Sequence, residues 1–280
     1  MGKTPILFIN LDRAKERADH MWASLEALKL AERTTRFSAV DASQDPLRRA
    51  FRRKLSGQAW DLDDGTVACM ESHRGAWQRM LEQGWDQAVF LEDDVVFSSG
   101  FAAALDDIDA WQEPFDCIKL DGVPIKLRLG KPMPGGTVEL RRLQQNVFSS
   151  AGYVLSRKGA ERLVRESETY SEAADIMMYQ PRERWVVFQA DPGICVQGML
   201  MSSEERAQLP ASVAGSERLE GAMWYQVKSD APFWWRAKTY LQSKYGRELP
   251  RKLWRDKAFV RAGGDILRVP LKDDFATYRW

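Results

Sequence analysis

Short runs of apolar residues alternate along the first half of the chain with longer stretches in which apolar positions recur at helical spacing. The runs predict strands over 5–11, 35–40 and 87–98, and the periodic stretches predict helices over 13–30 and 66–83. Strands that alternate with helices favour an α/β fold, in which helices flank both faces of a mostly parallel sheet.

The same alternation continues in the second half of the chain. Strands are predicted over 115–122 and 147–156, and helices over 99–111, 157–168 and 173–180. Residues 184–197 are predicted as a strand, a Pro-Gly turn and a second short strand. Two stretches without a clear period, 43–63 and 122–137, are predicted mainly as loops. The second contains four Gly and three Pro, and long loops in compact domains are often functional.

Composition and charge divide the chain into two parts. A length of 280 residues with 44% apolar and 29% charged residues is typical of a globular protein, and it argues against disorder or a fibrous repeat. The net charge of +1 separates into +7 for residues 228–280 and −6 for the remainder. This difference separates an acidic body from a basic tail, and we divide the chain into a main domain over 1–205 and a basic, aromatic-rich C-terminal extension over 206–280.

The extension combines aromatic and basic residues over 232–260, and Trp234, Leu241 and Tyr245 fall on one helical stripe. Basic residues with interfacial aromatics are typical of a helix that lies in an anionic membrane surface. Two alternatives are a tail packed on the core and an RNA-binding surface with stacked aromatics. We rank the membrane surface first and nucleic acid last.

The scarcity of soft ligands and of long apolar runs excludes several classes of protein. With three Cys, two His and no CxxC pair, a disulfide framework and a Cys- or His-rich zinc site are not expected. No apolar run approaches the ~20 residues that span a bilayer. We expect a cytoplasmic protein, which the tail would hold at the inner face of the cytoplasmic membrane.

An acidic turn at the end of the strand 87–98 is the first candidate for chemistry. In an extended chain, side chains alternate between faces, so Glu92 and Asp94 project together while Asp93 points away. Two carboxylates that converge repel unless a cation lies between them, and oxygen ligands suit Mg²⁺ or Mn²⁺ with substrate phosphates. The alternative is a solvated turn that caps the helix beginning near Ser99.

Basic residues and a single histidine form the next candidates. Arg13, Lys15 and Arg17 follow the first strand and could meet a diphosphate, although a solvated helix face would have the same pattern. His73 lies beside the apolar face of the helix predicted over 66–83. A lone His in such a place is more often a hydrogen-bonded core residue than a ligand or a base.

Two further carboxylates are candidates for a general base. Asp121 follows the strand 115–122, with Lys119 two residues earlier on the same face, and Asp175 lies near a predicted helix start. Either could take a proton from a substrate hydroxyl. Each could equally be a turn residue or a helix N-cap.

Several segments resemble glycosyltransferase family 25, of the lipooligosaccharide galactosyltransferase type, over about residues 5–200. The opening ILFINLDRAKERADHM resembles the first strand and helix of the family, and RFSAVDA its second strand. The most specific block is a Gly-x3-Cys-x2-Ser-His-x3-Trp helix followed by Glu-Asp-Asp-Val. Its positions here are Gly65, Cys69, Ser72, His73, Trp77 and residues 92–95.

The resemblance implies a GT-A type fold, a UDP-sugar donor (usually UDP-galactose), Mn²⁺ or Mg²⁺, inversion at the anomeric carbon and a saccharide acceptor such as the lipopolysaccharide core. Asp94 and Glu92 would be metal ligands, and Asp175, Asp121 and His73 catalytic residues. The donor would contact Asn10, Leu11, Arg13, Arg17, Asp41, Glu92, Asp93 and Lys119. Within this set Arg13 and Arg17 would neutralise the diphosphate, and Asp41 would accept a hydrogen bond from the uridine.

Two other functions are compatible with parts of the pattern. A non-catalytic domain of the same fold could bind a nucleotide sugar or a glycan and scaffold a membrane assembly. A phosphohydrolase is disfavoured because the acidic turn begins with Glu92, whereas a phosphoaspartate mechanism needs Asp at the nucleophile position.

Overall fold

A computed structural model describes residues 3–43, 60–215, 226–228, 233–241, 254–272, 274, 275 and 278. Within these residues the chain forms a mixed α/β fold around one large sheet, which confirms the predicted fold class. Most of the predicted loop 43–63, and Tyr245 of the predicted helical stripe, lie outside the described residues.

The described elements follow one another along the chain with few long connections. The first half contains β1 (Ile6–Asn10), α1 (Lys15–Ala27), β2 (Thr34–Ser38), β3 (Trp60–Leu62), α2 (Asp64–Glu82), β4 (Gln87–Glu92), β5 (Val95–Phe97) and α3 (Phe101–Asp109). The middle contains β6 (Cys117–Lys119), β7 (Lys126–Pro134), β8 (Glu139–Leu143), β9 (Gly152–Ser156), α4 (Arg157–Glu166), α5 (Ala174–Tyr179), β10 (Val187–Asp191) and β11 (Cys195–Gln197). The remainder contains α6 (Ser203–Arg206), α7 (Ala211–Ala214), β12 (Gln226–Lys228), α8 (Phe233–Leu241), α9 (Asp256–Arg261) and β13 (Asp265–Arg268).

In the described part of the chain the main sheet has nine strands in the order β13-β7-β8-β10-β6-β9-β4-β1-β2. Six of them run in one direction, and β8, β9 and β13 run against them. The antiparallel β9 lies between β4 and β6. It therefore brings the end of the acidic strand close to the segment that precedes Gly152.

The sheet is covered on both faces because its central strands are apolar on both sides. In β1, Leu7 and Ile9 belong to the core layer that includes residues of α2, α4 and α5, whereas Ile6 and Phe8 belong to the layer that includes residues of α1 and α3. The aromatic ring of Trp77 on α2 is fully buried in the first of these layers. The strands are thereby fixed in register, and their ends form a defined edge.

The helix predicted over 66–83 is α2, and its ends have the expected cap chemistry. The side chain of Asp63 accepts a hydrogen bond from the backbone N–H of Thr66 at the N-terminus. At the other end Gly84 adopts φ +71°, and the N–H of Trp85 reaches the carbonyl of Met80. This is a Schellman ending, which needs the left-handed conformation that glycine adopts at little cost.

The prediction of a loop over 122–137 was wrong for residues 126–134, which form β7. Leu127 and Leu129 alternate into the core, while the register shifts between Leu129 and Pro132. Proline lacks the N–H that a regular ladder needs, and an irregularity of this kind accommodates it. The Gly and Pro content therefore indicated a break in pairing within a strand.

Part of the predicted C-terminal extension belongs to the main sheet. The strand β13 pairs with β7 and becomes the last strand of the main sheet. Phe275 and Tyr278 pack with Val196 and Met201 of the preceding region. The alternative of a tail packed on the core therefore applies to these residues. Across the described ranges, no helix has the length and apolar character that crossing a bilayer requires.

Candidate functional site

The acidic turn lies where the carboxyl ends of neighbouring parallel strands meet. β4 ends at Glu92, Asp93 and Asp94 form a turn, and β5 begins immediately after it. Because β1 runs parallel to β4, Asn10 at the end of β1 lies beside this turn. Ligands of open α/β sheets bind at this edge of the sheet.

Asp93 faces away from the other two acids and fastens the turn to the first strand and helix. Its carboxylate accepts hydrogen bonds from Asn10 Nδ2 at 2.7 Å and from Arg17 Nη1 at 2.8 Å. Burial raises the pKa of Asp93, and the neighbouring Arg17 charge and Asn10 amide oppose this rise. Asp93 therefore acts as an anchor of the turn.

Glu92 and Asp94 converge on one side chain, the amide of Gln197 at the end of β11. Gln197 Nε2 lies 3.1 Å from Glu92 Oε2 and 3.5 Å from each carboxylate oxygen of Asp94. Burial, followed by the charge of Glu92, raises the pKa of Asp94 to about 7. Carboxylate oxygens of both residues thus converge on one neutral amide group, where their charges repel each other.

Glu92 is held by a buried relay that begins on α2. Trp77 Nε1 donates to Tyr153 Oη at 2.8 Å, and Tyr153 Oη lies 2.9 Å from His73 Nδ1. His73 Nε2 lies 3.3 Å from Glu92 Oε1, which also accepts a hydrogen bond from Ser150 Oγ. The orientation of Glu92 is therefore set from the core, and its Oε2 faces Gln197.

The relay carries a charge at His73. Burial lowers the pKa of His73, but contacts with Cys69 and Glu92 outweigh this effect and raise it to about 10. His73 Nε2–H then donates to the Glu92 carboxylate, which can only accept, and Nδ1 is hydrogen-bonded to the Tyr153 hydroxyl. His73 lies in the core, as its helical position predicted, and it also contacts the acidic turn.

Within the described residues, Cys69, His73 and Glu92 also form a group whose ligand atoms lie within 4.8 Å of one another. A thiolate, an imidazole and a carboxylate are ligands that suit Zn²⁺. A coordinating histidine must lose the proton on the ligating nitrogen. The proton that His73 Nε2 donates to Glu92 opposes this arrangement.

Asp121 and Lys119 form a fully buried ion pair, and both side chains have 0% exposure. Lys119 Nζ donates to Asp121 Oδ1 and to the Ser149 carbonyl, each at 2.6 Å, and Ser149 Oγ donates to Asp121 Oδ2 at 2.6 Å. Burial raises the pKa of Asp121, and Lys119 opposes the rise. The polar atoms of Lys119 and Asp121 thus bind each other and Ser149, while their predicted roles as a donor contact and a base stay predictions.

Asp175 occupies the first turn of α5 and is buried without an ion-pair partner at hydrogen-bond distance among the described residues. Its Oδ1 accepts from the N–H of Ile176 at 2.7 Å and its Oδ2 from the N–H of Ser149 at 3.1 Å. Burial raises the pKa of Asp175, and these backbone hydrogen bonds oppose the rise. Asp175 keeps the properties of a candidate base.

Arg17 is buried, and its guanidinium is engaged within the protein. Besides Asp93, it donates to the carbonyls of Ser212 at 2.7 Å and Gly215 at 3.1 Å. The role of Arg17 in neutralising a diphosphate stays a prediction, and in this structure its guanidinium binds Asp93 and two backbone carbonyls. Because the apolar spacing of α1 shows only which face is buried, it did not indicate that Arg17 ties the segment around α7 to the acidic turn.

Arg13 and Asp41 come together at the outer side of the same edge. Arg13 Nε lies 3.0 Å from Asp41 Oδ2, and the arginine side chain is 56% exposed. Hydrogen bonds from Ser43 lower the pKa of Asp41, and the bond from its backbone N–H has a larger effect than the bond from its hydroxyl. Leu11 is half-buried in the loop after β1, and Lys15 is exposed at the start of α1.

Gln197, Ser149 and Ser150 contact the candidate site residues but were not predicted from the sequence. Gln197 reaches the site because β11 pairs with β5, which places Gln197 opposite Val95. Ser149 and Ser150 reach it because β9 lies between β4 and β6. The available signal was the short polar pair Ser149-Ser150 before a buried strand, a pattern too common to distinguish a site from a turn.

Comparison with known proteins assigns the chain to a family. The profile of Glycosyltransferase family 25 (LPS biosynthesis protein) matches residues 3–178. Procollagen galactosyltransferase 2 of Homo sapiens is 26% identical over 59% of this chain, and the probable inactive glycosyltransferase 25 family member 3 of Bos taurus is 29% identical over 59%. Lipooligosaccharide biosynthesis protein lex-1 of Haemophilus influenzae is 21% identical over 74% of the chain.

The matched regions cover these relatives unequally. The alignment spans 28% of the human protein and 29% of the bovine protein, but 72% of the Haemophilus protein. The family profile covers well over half of the chain and includes the acidic turn, His73, Asp121 and Asp175. The chain belongs to glycosyltransferase family 25.

Proposed function

We propose that this chain is an inverting glycosyltransferase that moves galactose from UDP-galactose to a saccharide acceptor of the lipopolysaccharide core, with Mn²⁺ or Mg²⁺. The observation that carries the proposal is the convergence of Glu92 and Asp94 at the carboxyl end of β4. The names of the human and Haemophilus relatives support galactose and a lipooligosaccharide acceptor.

The residues around the turn fit a hard divalent cation. Gln197 Nε2 lies 3.1 Å from Glu92 Oε2 and 3.5 Å from each carboxylate oxygen of Asp94, so oxygen atoms of both acids meet at one point. The raised pKa of Asp94, about 7, reflects burial and repulsion by Glu92 that a cation would offset. Such a cation would stabilise the negative charge that develops on the departing diphosphate.

The chain's own residues then have distinct tasks. His73 and Ser150 hold Glu92, while Asp93 holds the turn. Asp175 is the base that accepts the proton of the acceptor hydroxyl, since burial raises its pKa and so increases its affinity for a proton. The exposed Arg13 is the group that meets the donor phosphates at the outer side of the edge.

The test is the hydrolysis of UDP-galactose by the purified chain without an acceptor. We expect slow release of galactose that requires Mn²⁺ or Mg²⁺ and stops in EDTA, with UDP-glucose as the comparison donor. The bovine relative named as inactive supplies the alternative of a non-catalytic domain that binds a nucleotide sugar or a glycan and scaffolds a membrane assembly. UDP-galactose binding without hydrolysis, at any metal concentration, would favour that alternative.

We also propose that α8 places the enzyme on the inner face of the cytoplasmic membrane. Phe233, Trp234 and Leu241 are 81%, 64% and 51% exposed, and Lys238 is exposed on the same short helix. Exposed aromatics beside a basic residue suit the boundary between headgroups and acyl chains. The acceptor in this proposal would be lipid-linked, which makes such placement useful.

A double variant tests the membrane contact without removing β13. The double variant Trp234→Ser with Lys238→Glu is expected to bind roughly tenfold more weakly to vesicles in which about a third of the lipid is anionic. The control Arg79→Glu makes the same charge change on α2 and should bind like the wild type. Equal vesicle binding by all three proteins would remove this proposal and leave the sugar-transfer proposal untouched.

A further inference from the structure

The amide of Gln197 occupies the space between the two carboxylates that the proposed function assigns to a cation. Its Nε2 lies 3.1 Å from Glu92 Oε2 and 3.5 Å from Asp94 Oδ1 and Oδ2. A primary amide nitrogen has two hydrogens, so it cannot serve three acceptors well. Gln197 therefore offers only a partial positive charge where two anionic groups converge.

The oxygen of the Gln197 amide lies beside the Ser149 hydroxyl, which already donates its hydrogen to Asp121. Ser149 Oγ lies 2.6 Å from the carboxylate oxygen Oδ2 of Asp121 and 3.3 Å from Gln197 Oε1. Ser149 has one hydroxyl hydrogen, and the shorter contact with a carboxylate is the stronger hydrogen bond. Gln197 Oε1 and Ser149 Oγ consequently face each other as two oxygen atoms.

If a cation lies between the two carboxylates, a rotation of the Gln197 amide by about 180° would improve the contacts of both its nitrogen and its oxygen. Gln197 Nε2 would then face Ser149 Oγ, whose lone pairs can accept a hydrogen bond while its proton stays on Asp121. Gln197 Oε1 would face the carboxylates. Carbonyl oxygens of Gln and carboxylate oxygens are both ligands of hard divalent cations.

We propose that Gln197 is the third protein ligand of the cation, through Oε1, and that its amide exchanges ends between the metal-free and metal-bound states. The inference rests on the proposed function, because it requires that Glu92 and Asp94 bind a divalent cation. It extends that function by a residue from β11. Ser149 becomes the positioning residue that holds the amide in the metal-bound orientation.

The experiment measures Mn²⁺ binding to the whole chain without any sugar nucleotide, from the electron paramagnetic resonance signal of free Mn²⁺. Gln197→Leu removes the amide at similar size, and we expect its Kd to rise by about tenfold or more. Gln197→Glu supplies an oxygen at both positions, and its Kd should equal or fall below that of the wild type. Gln145→Leu is the matched control, and its Kd should not change.

The outcomes separate this inference from the proposed function. Unchanged or tighter Mn²⁺ binding by Gln197→Leu would mean that the amide only competes with the cation, and it would overturn the assignment. Binding by Gln197→Glu as weak as that by Gln197→Leu would also overturn it, because the N–H group would then be the essential part. In both cases a Kd that still depends on Asp94 would leave the proposed function standing.

Two further measurements keep the test decisive. Far-ultraviolet circular dichroism and thermal melts in EDTA should give folded protein for both Gln197 variants, because this side chain lies at the sheet edge and is only half-buried. If the wild type and Asp94→Asn both fail to bind Mn²⁺, the metal site of the proposed function falls together with the role of Gln197.

Discussion

Replacing Asp94 with Asn is expected to abolish metal-dependent sugar transfer and, at the same time, to raise the melting temperature of the metal-free protein. The loss of activity should be about a thousandfold, since metal stabilisation contributes several kcal/mol and each 1.36 kcal/mol is about tenfold in rate. The gain in stability follows from Asp94 being buried beside Glu92, which raises its pKa to about 7.

The sign of the stability change depends on pH. In the unfolded chain Asp94 loses its proton near its ordinary pKa of 3.8, whereas the folded protein retains it up to about 7. Between these values the folded state binds more protons, so the contribution of Asp94 to stability falls as pH rises and stays low above about 7. Because Asn cannot ionise, the stability of the variant does not fall with pH at this position.

Thermal melts in EDTA at pH 5 and pH 8 provide the measurement. We expect Asp94→Asn to exceed the wild type at pH 8 by about 1–2 kcal/mol, or about 3–6 °C, with a smaller difference at pH 5. Added Mn²⁺ should raise the melting temperature of the wild type only. A variant that is less stable than the wild type at pH 8, or that still responds to Mn²⁺, would contradict the prediction.

The neighbouring Asp93 supplies a matched control, for which we expect a change in stability of the opposite sign. Asp93→Asn removes the partner of the buried Arg17 and should lower the free energy of unfolding by about 3 kcal/mol. It should nevertheless retain the response to Mn²⁺, because Asp93 faces Asn10 and Arg17. Two adjacent acids would thus change stability in opposite directions under the same substitution.

Replacing Asp175 with Asn is expected to reduce galactose transfer by about 10²–10⁴-fold while leaving UDP-galactose binding intact, because a general base contributes about this much. The backbone N–H groups of Ser149 and Ile176 can still donate to the Asn side-chain oxygen, so the local structure should persist. The decisive measurement is kcat/KM for transfer as a function of pH.

A base works only when deprotonated, so transfer by the wild type should fall as pH drops through the raised pKa of Asp175. The variant should lose this acid limb along with the rate. Asp121→Asn is the control. Because it leaves Lys119 buried without its charge partner, the free energy of unfolding should fall by about 3–5 kcal/mol. A full rate with Asp175→Asn would move the role of base to another residue.

The parts of the fold that could be predicted are those in which one segment determines its own structure. The apolar spacing and cap chemistry of α2 are local, and they predicted the helix within two residues of its observed ends. The strand β7 was missed because its Gly and Pro content masked the alternation of Leu127 and Leu129. Its pairing with β13 depends on residues more than a hundred positions away, and no local period indicates it.

The candidate site shows the same division between local and distant information. Side-chain alternation predicted that Glu92 and Asp94 would share one side and Asp93 the other, and the structure has this arrangement. The residues that complete the site come from strands that adjoin β4 and β5 only through the sheet order. Spacing along the chain therefore predicted the carboxylates but gave no indication of Gln197.

The position of β13 has a consequence for the protein's behaviour in concentrated solution. An uncovered β7 would present a row of unsatisfied N–H and C=O groups, and such an edge can pair with the same edge of another molecule. The backbone of β13 satisfies this edge, while Arg141 bonds the side chain of Asp265 and joins the strand to β8 and β10. The last part of the chain therefore covers Lys126–Leu129 of that edge with a four-residue strand that carries Asp265 and Arg268, and a short, charged edge strand is less prone to pair with another molecule.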